Sequence, residues 1–249
     1  MIPTLRALLS CLGLAGLGAC SSLGQPLTAE PYSEFGAGKT IIGASTGWAF
    51  YGAEAKAAGQ SGVLEGESGS DTTELAPNYG GALKLGHMIT DHVLIGGIVE
   101  LRSFDPDPIA PLSATLTADD FETWHIILST RYFFDGFGTT RRWRPFAGVD
   151  LSYIPDVELG EVRVDYPDAS MIPDEFKQVT GSDYWAIGLV AGVNYLVTDH
   201  ITIDMGAFYE YALTTSDASV QFDNLGGATA DIAIRPQGVV LFAGLSYAF

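Results

Sequence analysis

The chain has 249 residues, with 30 acidic against 12 basic side chains, a formal net charge of −18 and 47% hydrophobic residues. That balance excludes nucleic acid as a partner, because neutralising phosphates takes grouped Lys and Arg and no such cluster is present. The two cysteines, Cys11 and Cys20, stand at the front of the chain, so its body has no disulfide to hold it together.

Residues 1–19 read as a signal peptide. A single basic residue, Arg6, precedes an apolar run from Ala7 to Leu17, too short to cross a bilayer as a helix. The run ends in Leu17-Gly18-Ala19-Cys20, which resembles a bacterial lipobox and implies a diacylglycerol-modified Cys20. Ordinary cleavage after Ala19 fits less well, since it would put Leu17 where a small residue is preferred. The alternative is that Cys20 is an incidental small residue beside the cleavage site. Losing the signal peptide removes only one charge, Arg6, so the mature chain is more acidic still.

After the leader, apolar residues recur at every second position, the period of a strand with one greasy face. The first strand is expected at about Thr40–Tyr51, with Ile42, Ala44, Thr46, Trp48 and Phe50 on one face. Strands two to eight follow at Tyr79–Ile89, Val93–Phe104, Phe121–Phe134, Trp143–Tyr153, Tyr184–Val197, Ile201–Leu213 and Val239–Phe249. No later stretch offers the roughly 18 uninterrupted apolar residues of a membrane helix, so an apolar-rich secreted chain is left with a closed barrel as its membrane solution. Each strand is long enough to cross at a tilt. Aromatics gather near the strand ends (Trp48, Phe50, Tyr79, Trp124, Tyr132, Phe134, Trp185, Tyr209, Tyr211, Phe249), as an interfacial girdle requires.

Connections alternate between short and long. Thr90-Asp91-His92 and Thr198-Asp199-His200 are three-residue turns, and Asp135–Arg142 is short; the long loops are about 52–78, 105–120, 154–183 and 214–238. Short periplasmic turns and long outer loops place both termini in the periplasm. Treating each Thr-Asp-His as a hairpin turn sets Ala82 opposite Glu100, Gly80 opposite Arg102 and Asn194 opposite Asp204, so polar residues fall on one face. Val162 and Val164, and Ile232 and Ile234, alternate within loops, which suggests strands projecting beyond the membrane.

The stretches PNYGGALKLGHMITDHVLIGG, RPFAGVDLSY, YWAIGLVAGVNYLVTDHITIDMGAFYEY and GVVLFAGLSYAF resemble the small eight-stranded outer-membrane barrels, a group that includes the OmpA membrane domain, the OmpX/Ail proteins and OmpW. The resemblance covers residues 39–249 and rests on Gly and aromatic alternation, short Asp-containing turns and a terminal Phe249. It implies an all-β fold, an eight-stranded antiparallel up-and-down transmembrane β-barrel in the outer membrane of a Gram-negative bacterium. Residues 20–38 would then be a lipidated periplasmic leader. Outer-membrane lipids and lipopolysaccharide are the implied partners, together with the barrel-assembly machinery, engaged through the C-terminal strand ending at Phe249. The lipobox departs from most such barrels, and no peptidoglycan-binding domain follows.

Parity sends Lys84, Glu100, Arg102, His125, Ser129, Arg131, Arg144, Asp150, Asn194, Asp204 and Glu210 into the lumen. Lys84, Arg102, Arg131 and Arg144 balance Glu100, Asp150, Asp204 and Glu210. An eight-stranded barrel is only wide enough for side chains to fill, and buried charges are tolerated when paired. An ion-pair network closing the lumen is therefore expected; a narrow water-lined pore is the alternative.

No cofactor or metal site is expected, since no His/Cys cluster has zinc spacing, and an enzyme is not expected: a lipid A-modifying enzyme, as a few small outer-membrane barrels are, is the least favoured reading, its His-x-Ser-Asn-Gly deacylase signature being absent. His125 and Ser129 share a face, but four residues along a strand is about 13 Å, too far for a hydrogen bond. The long loops carry most of the acids. They read as solvated surface, or as oxygen ligands for a divalent cation around Asp105-Pro106-Asp107 or Asp165 to Glu175, without EF-hand spacing. Recognition of a basic surface is a third possibility; no surface ligand is named by the sequence.

Two functional readings result. One is a closed barrel that contributes to envelope structure and presents acidic loops for surface interaction. The other is a narrow porin, or an OmpW-like transporter passing small apolar solutes through the lumen or laterally. A charged lumen favours the first, although Phe133, Phe146 and Phe208 also face inward by parity.

Overall fold

The computed structural model describes residues 35–110, 115–137, 142–165 and 175–249. The signal peptide, Cys20 and most of the leader lie outside the described residues. Twelve strands are described: β1 (Thr40–Gly59), β2 (Ser68–Met88), β3 (Val93–Pro106), β4 (Thr115–Ala118), β5 (Phe121–Phe133), β6 (Trp143–Ile154), β7 (Val157–Asp165), β8 (Glu175–Gly181), β9 (Tyr184–Leu196), β10 (Ile201–Ala212), β11 (Ser216–Phe222) and β12 (Ala228–Ala248). Eight of them, β1-β2-β3-β5-β6-β9-β10-β12, form an antiparallel ring that closes when β12 pairs with β1. The last residue takes part: the Thr40 N–H donates to the Phe249 carbonyl at 3.1 Å, and the Phe249 N–H returns a bond to Thr40 at 3.0 Å.

The burial pattern is that of a membrane barrel, the reverse of a water-soluble protein. Outward apolar residues stay uncovered, among them Leu83 (54% exposed), Leu128 (57%) and Leu189 (63%), while inward Arg102 (1%) and Glu210 (2%) are sealed from solvent. All ten aromatics read as the girdle are exposed. On β5 the outward row runs from Trp124 to Phe134, and ten residues at about 3.4 Å each, tilted about 40°, give an apolar band about 25 Å tall.

Registers follow the sequence reading: Ala82 faces Glu100, Gly80 faces Arg102, and Asn194 faces Asp204. The two Thr-Asp-His turns use one construction twice. Thr90 Oγ1 accepts the N–H groups of His92 and Val93 at 3.2 and 3.0 Å. Thr198 Oγ1 does the same for His200 and Ile201 at 3.3 and 3.1 Å. Each histidine then ties its turn to the neighbouring strand end, His92 Nδ1 to the Phe133 carbonyl (2.8 Å) and His200 Nδ1 to that of Ala248 (3.1 Å). Each ring also stacks on an aromatic, Tyr132 or Tyr247, at 5.6 Å.

The segments read as long outer loops are largely strand. β1, β2 and β12 run 20, 21 and 21 residues, well past the aromatic girdle. Their outer halves hide small residues, Ala53, Ala55 and Ala57 on β1, and show Glu54 and Lys56 to water. Alanine is too weakly apolar for this alternation to stand out in sequence. β11 pairs with the outer half of β12, and β4, β7 and β8 form a separate three-stranded sheet. The two walls are joined where the Ser182 N–H donates to the Asp217 carbonyl at 2.8 Å.

Candidate functional site

The lumen is filled in layers. At the end of the barrel where the ring begins and closes, Phe35 clusters with Ile41, Met88, Phe133, Leu196 and Ala248, all buried. The Gly38 N–H donates to the Met88 carbonyl at 2.8 Å and the Ala37 N–H to Asp91 Oδ1 at 2.9 Å, so the last residues of the expected leader sit in the barrel mouth.

Above this seal, Asp204 on β10 pairs with Lys84 on β2, receives Asn194, and accepts from Ser246 Oγ at 2.6 Å. The next layer belongs to Arg131. Its guanidinium lies 5.2 Å from the Phe146 ring centre and 5.7 Å from that of Phe242, and its Nε donates to Ser129 at 3.3 Å. Glycines make room for these rings. Gly192 and Gly206 pair directly with one another, and a β-carbon on them would meet the Phe146 ring at 2.6 Å and the Phe242 ring at 2.9 Å.

The uppermost charged layer is the densest. Arg102 donates to Glu100 Oε2 and Glu210 Oε1, each at 2.8 Å, and to the Tyr51 hydroxyl at 2.5 Å. Glu210 also accepts from Tyr51 at 2.8 Å and Ser152 at 3.0 Å. His125 completes the layer, with Nε2 3.0 Å from Thr123 Oγ1 and Nδ1 3.8 Å from Glu210 Oε1.

The expected eight-residue ion-pair network is therefore divided. Lys84–Asp204 and Glu100–Arg102–Glu210 are ion pairs on separate levels. Arg131 and Asp150 are buried in the lumen, yet neither makes an ion pair within 4.0 Å among the described residues; two phenylalanine faces hold the arginine instead. Arg144 stands near the rim sealed by Phe35, where it donates to the main-chain carbonyls of Phe134 and Asp91 and lies over the Phe133 ring. Tyr51, Ser152 and Ser246 join the network without having been singled out, although each shares the inward parity of its strand.

Above the charged layer the lumen becomes apolar. A cavity of about 90 Å³ lies between the wall of β1, β11 and β12 and the wall of β4, β7 and β8. Its sides include Ala55, Leu116, Val162, Val179, Val220 and Ile232, and its lower part Phe104, Phe121, Thr123 and Tyr184. Much of this lining comes from segments read as loops, so the sequence reading assigned it to no part of the lumen. Beside the chamber, β2 carries one residue more than either neighbour: its register slips against β1 between Leu75 and Asn78, and against β3 between Ala76 and Gly80. Pro77 stands in that bulge and has no N–H to give a ladder.

Among solved structures, the chain is similar to the outer membrane protein OprG of Pseudomonas aeruginosa, at TM-score 0.60 and 15% identity over 86% of this chain and 97% of that one. It is also similar to Neisserial surface protein A (TM-score 0.41, 21% identity, 85% and 99% covered) and to AlkL (0.47, 13%, 91% and 95%). No family model and no curated protein matches the chain. The ring, its apolar belt and the likeness to OprG define the fold class: a small outer-membrane β-barrel.

Proposed function

We propose that this protein is an outer-membrane barrel that takes small apolar molecules into the chamber on its outer side while its charged lumen stays closed to ions. The observation that carries this reading is the seating of the apolar chamber directly on the Arg102–Glu210 layer. A molecule entering from outside meets alkyl and aromatic walls and then a floor of paired charges, which it cannot cross without separating them. The exit consistent with this arrangement is sideways, at the β2 bulge around Pro77, where the ladder to β3 lapses between Ala76 and Gly80. An apolar solute leaving there passes into lipid, its preferred solvent. This favours the transport reading over a purely structural closed barrel. The exposed acids of the outer hairpins then serve to keep that rim solvated.

Two measurements test it. The refolded barrel should show no stable conductance steps in a planar bilayer. Cells carrying it should take up toluene faster than cells without it, and Ala55→Phe, which fills the chamber from β1, should abolish the gain. Ion-conducting steps, or uptake indifferent to Ala55→Phe in a folded barrel, would overturn the proposal.

A further inference from the structure

Apart from Thr73, Asp107 and Ser216 the chamber walls are apolar, and the floor presents a polar group that bonds to no described residue. Tyr184, at the start of β9, is 3% exposed and lines the chamber, and its hydroxyl has no hydrogen-bond partner among the described residues. The hydroxyl is not among the wholly sealed polar atoms that lack a partner, so it keeps access to the space of the chamber, where a guest would meet it. The other polar groups of the lining are differently placed: Thr73 donates to the Asp107 carbonyl at 2.8 Å, and Ser216 to the Ser182 carbonyl at 2.8 Å.

Thr123 is the second polar group of the floor. Its direction of bonding follows from the histidine beneath it. His125 Nδ1 faces the Glu210 carboxylate at 3.8 Å and has no closer hydrogen-bonding partner. A lone pair there would be repelled by the carboxylate, so the proton sits on Nδ1 and Nε2 is the acceptor. Thr123 Oγ1, 3.0 Å from Nε2, therefore spends its own proton on His125 and keeps its lone pairs as acceptors. The chamber floor thus holds an unused donor, the Tyr184 O–H, and an unused acceptor, Thr123 Oγ1.

We propose that this floor reads a terminal hydroxyl: the chamber takes a small apolar molecule ending in an alcohol, whose oxygen accepts from Tyr184 and whose proton goes to Thr123. The inference rests on the chamber being a binding site, as argued above, and names what that site selects. A hydroxyl is the group that donates and accepts through one atom. An anionic end is disfavoured, because the layer below carries two carboxylates, Glu100 and Glu210, against the one guanidinium of Arg102. The apolar walls disfavour a molecule with further polar groups along its body.

The test uses the barrel refolded into lipid nanodiscs and two fluorinated probes of like body, 4-fluorobenzyl alcohol and 4-fluorotoluene. Binding is followed by 19F NMR, with empty nanodiscs as the blank for partition into lipid. The alcohol should bind about tenfold tighter than the toluene, the value of one net hydrogen bond to a buried partner. Tyr184→Phe should bring the alcohol down to the affinity of the toluene and leave the toluene unchanged. Thr123→Val should weaken the alcohol alone, and it carries the test if Tyr184→Phe does not fold. Equal affinities in the unaltered barrel would mean that a water satisfies Tyr184, and would overturn this inference while leaving the chamber a binding site. A preference surviving both substitutions would also overturn it. Saturable binding of neither probe would overturn the inference and the proposed function together.

Discussion

Arg102 on β3 meets Glu210 on β10 at 2.8 Å, joining strands on opposite sides of the eight-membered ring. Both side chains are almost wholly sealed from solvent, and Tyr51, Ser152 and Glu100 supply further bonds, leaving Arg102 Nε without a partner among the described residues. Removing one partner strands a buried charge, so Arg102→Ala should cost about 3–5 kcal/mol. Replacing both residues by apolar ones of similar volume should cost much less, since the desolvation penalty disappears with the pair. Urea unfolding of the two variants in detergent micelles measures the difference; equal losses would mean that packing around Arg102, and not its charge, holds the layer.

The repeated Thr-Asp-His turns give an internal control. His92 and His200 each donate from Nδ1 to a carbonyl of the adjacent strand end and stack on an aromatic ring. Each change to alanine should cost about 1 kcal/mol, the net value of such a bond. The double variant should be additive within about 0.5 kcal/mol, because the turns share no partners. Unfolding midpoints of the three variants decide it.

Phe35 closes the mouth beside the short turns together with Met88, Leu196 and Ala248. Phe35→Ala should cost about 3 kcal/mol, in the range of a buried aromatic truncation, and admit water to the Lys84–Asp204 layer. Faster amide exchange at Lys84 and Asp204, with the outer chamber unchanged, is the expected signature.

Two carboxyls outside the membrane give opposite pH responses. The N–H of Ala110, and then that of Thr72, hold Asp71 below the usual carboxylate range. A lowered acid favours the folded contact above the unfolded value and loses that support as pH falls through the folded one. Asp105 is displaced upward, chiefly by the charge of Asp120, then by desolvation and a hydrogen bond shared with Asp120. Its contact is favoured while the proton is held and weakens as pH rises through the raised value. The Ala110 amide resonance should therefore move on acidification below the ordinary aspartate range, and Asp71→Asn should remove that transition alone. Asp105→Asn should remove a separate one at higher pH.

Much of the barrel was legible because its strands obey a period of two across a membrane. Leu83, Leu85, Trp124 and Ile126 must face lipid, and that settles where Glu100, Arg102 and Glu210 point without reference to any neighbour. The Thr-Asp-His turns then set the registers of β2 with β3 and β9 with β10. Parity states which side of a strand a residue occupies and nothing of its height or its opposite number. Arg131 and Asp150 share the lumen with five ion-paired acids and bases, yet Phe146 and Phe242 take the arginine because Gly192 and Gly206 leave space for their rings.

The chamber was hidden for a different reason. Its walls come from strands outside the bilayer, where no lipid enforces a strongly apolar face and alanines such as Ala53, Ala55 and Ala218 suffice. Taken alone, the chain's alternation determined the membrane-spanning ring, its closure at Phe249 and the charged character of its core, since each is imposed strand by strand. Which charges pair, what seals the mouth and where the lumen turns apolar were decided only in the tertiary structure, because those contacts join residues from opposite walls whose meeting depends on strand height and stagger.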